Sequence, residues 1–320
     1  MMTLTLAIMI VMNNQTFATE FILNGFTDIP HVQLLLFVLF LFLYIVALIG
    51  NSLIAVTISL SSGLHTPMYF FLVNLALLDV ICTCTAVPKL LQTLGGGDNT
   101  ISFRGCMTQL YFLTWSVAAE LLLFTAMAYD RYVAICQPLH HSKMMSRGVC
   151  VSLAVAVWGI SAFGATTNTS LLVRLSFYGP KVINHFVCEI PALLPLSCSS
   201  TYVNDIMTIV ADIFFAVLNF LLTMLSYGFI IFSIMAIQTT EGKKRAFSTC
   251  SSHLMVVTMY YSTVIYVYLS PDSSYSPDKV KAMAVLYSTV SPALNPLIYT
   301  LRNKEVKRAL RKLFIFLKGK

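Results

Sequence analysis

Residues 106–136 read CMTQLYFLTWSVAAELLLFTAMAYDRYVAIC. The stretch is apolar almost throughout, yet near its end it sets an acid beside a base, Asp130 and Arg131. An unpaired charge buried in hydrocarbon costs several kcal/mol. From Cys106 to Arg131 the chain rises roughly 37 Å as a helix, at about 1.5 Å per residue. The hydrocarbon core of a bilayer is about 30 Å thick. With Cys106 at one membrane surface, Arg131 reaches the other, where the pair can bond locally and still be met from water. The segment therefore reads as a membrane span that ends in a charged latch.

Composition extends this reading to the whole chain. Its 320 residues are 58% hydrophobic and 10% charged, with a mean hydropathy of +0.81. Soluble domains carry roughly 25% charged residues, so this is an integral membrane protein. Apolar stretches run at 33–60, 69–92, 106–129, 149–173, 206–237, 252–270 and 282–301. Each approaches or exceeds the ~20 residues a helix needs to cross. None shows the alternation or the ~10-residue length of barrel strands. The expected fold is an all-α bundle of seven membrane helices over 33–301. A tail precedes it at 1–32, and a short amphipathic helix follows at 302–320.

Charge orients the bundle. Segments on one side carry Arg131, Lys143, Arg147, Lys243, Lys244, Arg245 and the basic cluster from Arg302 to Lys320. The other side has Lys89, Arg104, Arg174, Lys181, Lys279 and Lys281, interspersed with Glu20, Asp28, Asp98 and Glu189. Positive residues collect on the cytosolic side. The expected protein is thus multi-pass in the plasma membrane, with an extracellular N-terminus and a cytosolic C-terminus. The net charge of +7 is mainly a topology signal, and no basic soluble face points to nucleic acid. Asn14-Gln15-Thr16 is a glycosylation sequon in the outer tail, so Asn14 is the expected site. A second sequon at Asn168 lies too close to the membrane to be modified. The apolar start lacks the basic n-region of a cleaved signal peptide, and Met12 is an alternative initiator.

The longest connection, roughly 172–203, holds Gly179, Pro180, Pro191 and Pro195, which break regular structure. A loop of that length is usually a lid or a binding loop. Cys106, Cys188 and Cys198 face the oxidising side, and on these residues alone Cys106 pairs with either loop cysteine. Cys82, Cys84, Cys136, Cys150 and Cys250 fall in spans or near the cytosol and should stay reduced. In the tail, Val306, Leu310, Leu313, Phe314 and Leu317 recur at helical spacing, with Lys304, Lys307, Arg308, Arg311 and Lys312 largely off that stripe. Such a helix lies on the anionic inner leaflet, so membrane lipid is an expected partner.

Asn51, Asp79, Glu120 and Asn295 fall inside apolar spans, where ionisable residues are functional candidates. Two carboxylates in one dry core need a proton or a cation between them. Carbonyl oxygens of Asn51 and Asn295 would suit a small hard cation, so sodium at Asp79, Glu120, Asn51 and Asn295 is the one cofactor expected. In span seven, Pro296 removes a backbone hydrogen bond, and Asn295 and Tyr299 flank that weak point.

Six motifs occur in order on matching spans: GN at 50–51, LHTPMYFF at 64–71, MAYDRYVAIC at 127–136, SYGFII at 226–231, KRAFSTCSSHL at 244–254 and PALNPLIYTLRN at 292–303. Together they closely resemble the olfactory receptors, a branch of the rhodopsin-like G-protein-coupled receptors. The resemblance implies a receptor, not an enzyme. It would bind a small volatile odorant, engage a stimulatory heterotrimeric G protein and raise cAMP. Asp130, Arg131 and Tyr132 would form the family's cytosolic latch, with Tyr227 and Tyr299 as active-state partners of Arg131. Cys106 and Cys188 match the family's disulfide. The ligand pocket implied by family position lies among Leu113, Thr114, Val117, Asp212, Phe215, Tyr261, Ile265, Tyr268 and Ser288. Tyr178 stands where many members have a cysteine, which leaves Cys198 as a free thiol, and Ala76 replaces a usual serine in span two. A transporter would need paired broken helices and internal symmetry, and neither appears. An intramembrane enzyme would need a catalytic constellation, and no HExxH or GxSxG occurs.

Overall fold

The computed structural model describes residues 19–27, 29–178, 182–269 and 277–318. Eight helices dominate it: α1 Pro30–Leu60, α2 Pro67–Leu94, α3 Phe103–Cys136, α4 Arg147–Val173, α5 Tyr202–Ala236, α6 Thr240–Leu269, α7 and α8 Lys304–Lys318. The helix α7 runs as Pro277–Val285, a π-helical turn Leu286–Val290 and then Ser291–Arg302. Pro30 and Pro67 open α1 and α2 at positions where a missing N–H costs nothing. At the start of α3, Ser102 accepts from the Gly105 N–H at 3.1 Å as its cap.

Helices α1 to α5 are each long and apolar enough to cross a bilayer. The other two complete the bundle with weaker signals. Two pieces of α7 flank the π turn and are short, while α6 begins with a polar stretch from Thr240 to His253. That polar start is also the largest departure from the sequence reading. The sixth helix begins at Thr240 and not at 252, so most of the expected inner loop is helical. Large apolar side chains such as Leu35, Phe42, Phe163 and Phe232 point outward and are exposed. Lipid, which needs no polar partner, suits such a belt.

The core follows α2 and α3, the most buried of the five apolar helices, with Phe71, Leu75, Leu78, Leu123, Phe124 and Met127 inside. Packing between α1 and α7 depends on a glycine. A Cβ on Gly50 would come within 2.8 Å of the Pro296 ring. Pro296 also leaves the Pro292 carbonyl without its helical donor, and Asn51 Nδ2 supplies one at 2.9 Å. The Gly50-Asn51 pair thus exists to seat a proline of another helix. A similar repair occurs at the π-helical turn Ile213–Leu218 of α5, where Asn219 Nδ2 donates to the carbonyls of Phe214 and Phe215.

One end of the bundle is covered by a small sheet that hydropathy gave no reason to expect. Strand β1, Glu20–Leu23, lies between β2, Thr100–Ser102, and β3, Val182–Ile183. It runs antiparallel to β2, with Phe21 opposite Ile101, and parallel to β3, with Ile22 opposite Val182. Phe21 and Leu23 bury their side chains beneath this cover with Phe177 and Ile183. The Cys106–Cys188 disulfide joins the cover to α3. This is the lid end; Asp130 and Arg131 mark the opposite, latch end.

Candidate functional site

Beneath the lid two adjoining cavities, of about 560 and 140 Å³, share Val117, Leu121 and Asp212 in their walls. Leu113, Thr114, Val117, Asp212 and Phe215, all expected of a pocket, line the larger one. Tyr261 and Ser288 do not line either cavity. Tyr261 packs on Phe220, with ring centroids 5.0 Å apart, and Ser288 is buried against the Ala284 carbonyl at 2.5 Å. Ser288 sits within the π turn, and Met283, Tyr287 and Ser291 line the cavity instead. The side chains of Ile265 and Tyr268 lie outside the described residues, as does Asn14. Asn168, of the second sequon, is buried and donates to the Gly164 carbonyl at 3.2 Å.

The roof of the larger cavity is the segment after β3, where Cys188 and Glu189 form part of the wall. Gln109 of α3 fixes it, donating to the Thr85 carbonyl at 3.0 Å and accepting from the Cys188 N–H at 2.9 Å. Tyr287 donates to Glu189 Oε2 at 3.0 Å. His185 Nε2 lies 3.0 Å from Glu189 Oε1, but not in line for a hydrogen bond. Burial raises the Glu189 carboxyl to about 7, against the lowering influence of the Tyr287 hydroxyl. Burial also pushes the His185 imidazole down to about 4, and the Lys281 ammonium adds to that. Near neutral pH the pair is therefore close to uncharged on its histidine side and shares out its carboxyl proton. Lys281 ties the roof to the tail, donating to the Gly25 carbonyl at 3.0 Å and to Asn184 Oδ1 at 2.9 Å. Cys198 is unbridged and donates to the Tyr178 carbonyl at 3.0 Å.

Below the cavity lies the buried polar set. Asn295 Nδ2 donates to both carboxylate oxygens of Asp79, at 3.1 and 2.9 Å. Glu120 is buried, and its Oε1 makes no hydrogen bond among the described residues; Asn295 Oδ1 is likewise unpartnered. Asn51 does not join them. Its Nδ2 donates to the carbonyls of Ala47 and Pro292, which gives it a backbone role. No group of three or more His, Cys, Asp or Glu side chains fit for a metal occurs among the described residues.

At the latch end Arg131 donates to Asp130 Oδ2 through Nε at 2.9 Å and also through Nη2. His141, on the single helical turn His141–Met144, contacts the other oxygen, Asp130 Oδ1, at 3.0 Å. This third member of the latch had no signal in the sequence, because eleven residues of loop and helix end separate it from Asp130. Tyr132 packs on Phe229 with ring centroids 5.9 Å apart. The Tyr227 hydroxyl meets His253 Nδ1 at 2.7 Å, while the Tyr299 hydroxyl is buried without a hydrogen bond among the described residues. Both tyrosines thus stand apart from Arg131 in their hydrogen bonding. His253, buried in the polar start of α6, was also missed by sequence reasoning.

Comparison with known proteins agrees with this geometry. Residues 40–316 match the family model described as Olfactory receptor. Human Olfactory receptor 13A1 is 58% identical over 97% of this chain and 94% of its own length. Human Olfactory receptor 13G1 is 52% identical over 95% of this chain and 99% of its own, and mouse Olfactory receptor 5AR1 is 45% identical over 94% and 97%. With seven packed helices, a disulfide-tied lid over a cavity and matches across nearly its whole length, the chain belongs to the olfactory receptor family of G-protein-coupled receptors, which are multi-pass plasma-membrane proteins and not enzymes.

Proposed function

We propose that this receptor takes a small volatile organic ligand into the cavity beneath Cys188 and passes the event to a stimulatory heterotrimeric G protein, raising cAMP. The cavity itself carries the reading. Its wall is mostly apolar, with Leu113, Val117 and Ile209 beside hydroxyls of Thr114, Thr208 and Tyr287. Such a lining selects by shape and by one or two hydrogen bonds. The G protein would meet Arg131 after release from Asp130 at the other end. The charge asymmetry supports an N-terminus outside the cell and a C-terminus in the cytosol. In cells expressing the full chain, an odorant panel should evoke cAMP, and Val117→Trp, which fills the shared wall of both cavities, should abolish the response to any active odorant. An unchanged response in that variant would sink the cavity assignment.

A cation or a shared proton between Asp79 and Glu120 is a second proposal, supported by the unpartnered Glu120 Oε1 and Asn295 Oδ1. Sodium that prefers the resting state must oppose agonist binding by the same factor. Raising sodium at constant ionic strength should weaken agonist affinity in membranes, and Glu120→Gln should blunt the effect. An affinity indifferent to sodium would leave only a shared proton or plain hydrogen bonding between the helices.

A further inference from the structure

The two cavities beneath the lid carry charge of one sign. Three carboxylates line the larger one, Glu189, Asp205 and Asp212, and Asp212 also lines the smaller. Among the described residues no Lys, Arg or His lines either. Asp205 and Asp212 lie two turns apart on α5 and share a face, with Asp212 roughly 10 Å further from the lid. Glu189 is held in the roof by Tyr287, and Asp205 accepts from the Thr201 hydroxyl at 2.9 Å. Asp212 is exposed on the wall common to both cavities. Walls of low dielectric that bear one sign of charge focus the field and concentrate ligands of the opposite sign.

Ser291 supplies the independent observation. It is 4% exposed and lines the smaller cavity, yet its hydroxyl makes no hydrogen bond among the described residues. Helical hydroxyls in this chain usually bond four residues back, as Thr83 does to the Asp79 carbonyl at 2.7 Å and Ser161 to the Val157 carbonyl at 2.6 Å. A buried hydroxyl left over on a cavity wall calls for a missing partner. Around it Val117, Leu121, Ala216, Met259 and Met283 form an apolar surface that suits a short hydrocarbon chain.

We infer that the paired cavities take a small aliphatic amine as its ammonium ion. The inference rests on the proposed ligand cavity and names the chemical class that fits it. The ammonium donates to Asp212 and, through a second N–H, to the Ser291 hydroxyl, while the alkyl chain lies along Val117 and Leu121. Hydrogen bonds that involve ionised groups are roughly twice as strong as neutral ones, so they rank ligands of equal shape. An alcohol of the same length would satisfy Ser291 but leave the acidic field unmatched. A carboxylate would bring a further anion to a wall that already holds three carboxyl groups, and like charges set side by side cost several kcal/mol.

The test uses the purified full-length receptor at neutral pH, where an alkylamine, like a lysine side chain, is protonated. Its unfolding temperature is followed against rising n-hexylamine, 1-hexanol or sodium hexanoate, since a ligand of the native state raises it. Hexylamine should stabilise most, hexanol less and hexanoate not at all. Asp212→Asn should weaken the apparent hexylamine affinity about tenfold or more and leave that of hexanol largely unchanged. Asp212→Glu should keep the preference for the amine, and Ser291→Ala should weaken it by about threefold. Equal stabilisation by the three probes, a preference for hexanoate, no stabilisation by any amine from butylamine to octylamine, or a full amine preference in Asp212→Asn would each overturn the assignment. The cavity reading is tested apart from this one, by the odorant panel and Val117→Trp. A neutral odorant whose cAMP response that variant abolishes, in a receptor that amines do not stabilise, would keep the cavity and sink the amine.

Discussion

The two ends of the bundle are held by different kinds of bond. At the lid end a disulfide, a three-stranded sheet and the backbone contacts of Gln109 and Lys281 join segments from the tail, α3, β3 and α7. At the latch end the connections are side chain to side chain: Asp130 with Arg131 and His141, and Tyr227 with His253. Individual side-chain hydrogen bonds contribute about 0.5–1.5 kcal/mol, or about 1.5–3 kcal/mol to a charged group, which a docking protein can replace. Covalent and backbone links cannot be exchanged that way. The contrast assigns a fixed geometry to the end that would select a ligand and a replaceable one to the end that would meet a partner.

Removing the centre of the latch should give the largest effect. Arg131→Ala should reach the surface normally, because its main partner is the adjacent Asp130, yet lose all odorant-evoked cAMP. Full signalling at matched surface density would break the contrast. At the lid end, Cys106→Ser and Cys188→Ser should each cripple surface delivery. A loop of 82 residues is worth about 4–5 kcal/mol on the chain-entropy account. Cys198→Ser should be tolerated, and peptide mapping that found Cys198 bridged to Cys106 would contradict this.

A smaller effect is expected where the middle of the bundle is tied. Asn51→Ala strands the Pro292 carbonyl beside Pro296 and should cost about 1–3 kcal/mol, read as a lower unfolding temperature of the purified receptor. The mildest effect is a pH dependence at the lid. Glu189 carries a carboxyl raised from 4.5 to about 7. Its contribution to lid closure is complete below about 4.5 and fades as the pH rises through about 7. His185 acts oppositely: lowered from 6.5 to about 4, it favours closure above 6.5 and opposes it as the pH falls toward 4. Hydrogen-exchange protection of residues 183–189, corrected for intrinsic rates, should therefore decline from about pH 6 to pH 8. Glu189→Gln should flatten that decline, and a slope unchanged by the substitution would sink the assignment.

Sequence legibility followed the physics of each signal. Hydropathy marks a span because twenty apolar residues have few other uses; α1, α2, α4 and α5 fall within a few residues of expectation, while α3 runs seven residues past it to Cys136. The early start of α6 was hidden because a helix that leaves the bilayer is polar and reads as loop. Strand β1 was hidden because four residues in a tail acquire their meaning from partners near 100 and 182. Within the pocket, straight helical projection succeeded on α3, where Leu113, Thr114 and Val117 line the cavity. It failed at Ser288, where a π turn changes the residues per turn. The roles of His141, His253 and Glu189 escaped notice for a common reason: each becomes informative through one distant side chain.

The placing of β1 also bears on how the molecule is made. The strand that completes the cover leaves the ribosome well before β3, yet Ile22 pairs with Val182. At ~5–20 residues per second, the tail waits on the order of ten seconds while four helices are threaded. Until then Phe21 and Leu23 have their α3-side neighbours but lack Phe177 and Ile183. Maturation of this chain is therefore gated by the emergence of the 172–203 connection, and slowing translation between α4 and β3 should lengthen the interval in which chaperones hold the nascent receptor.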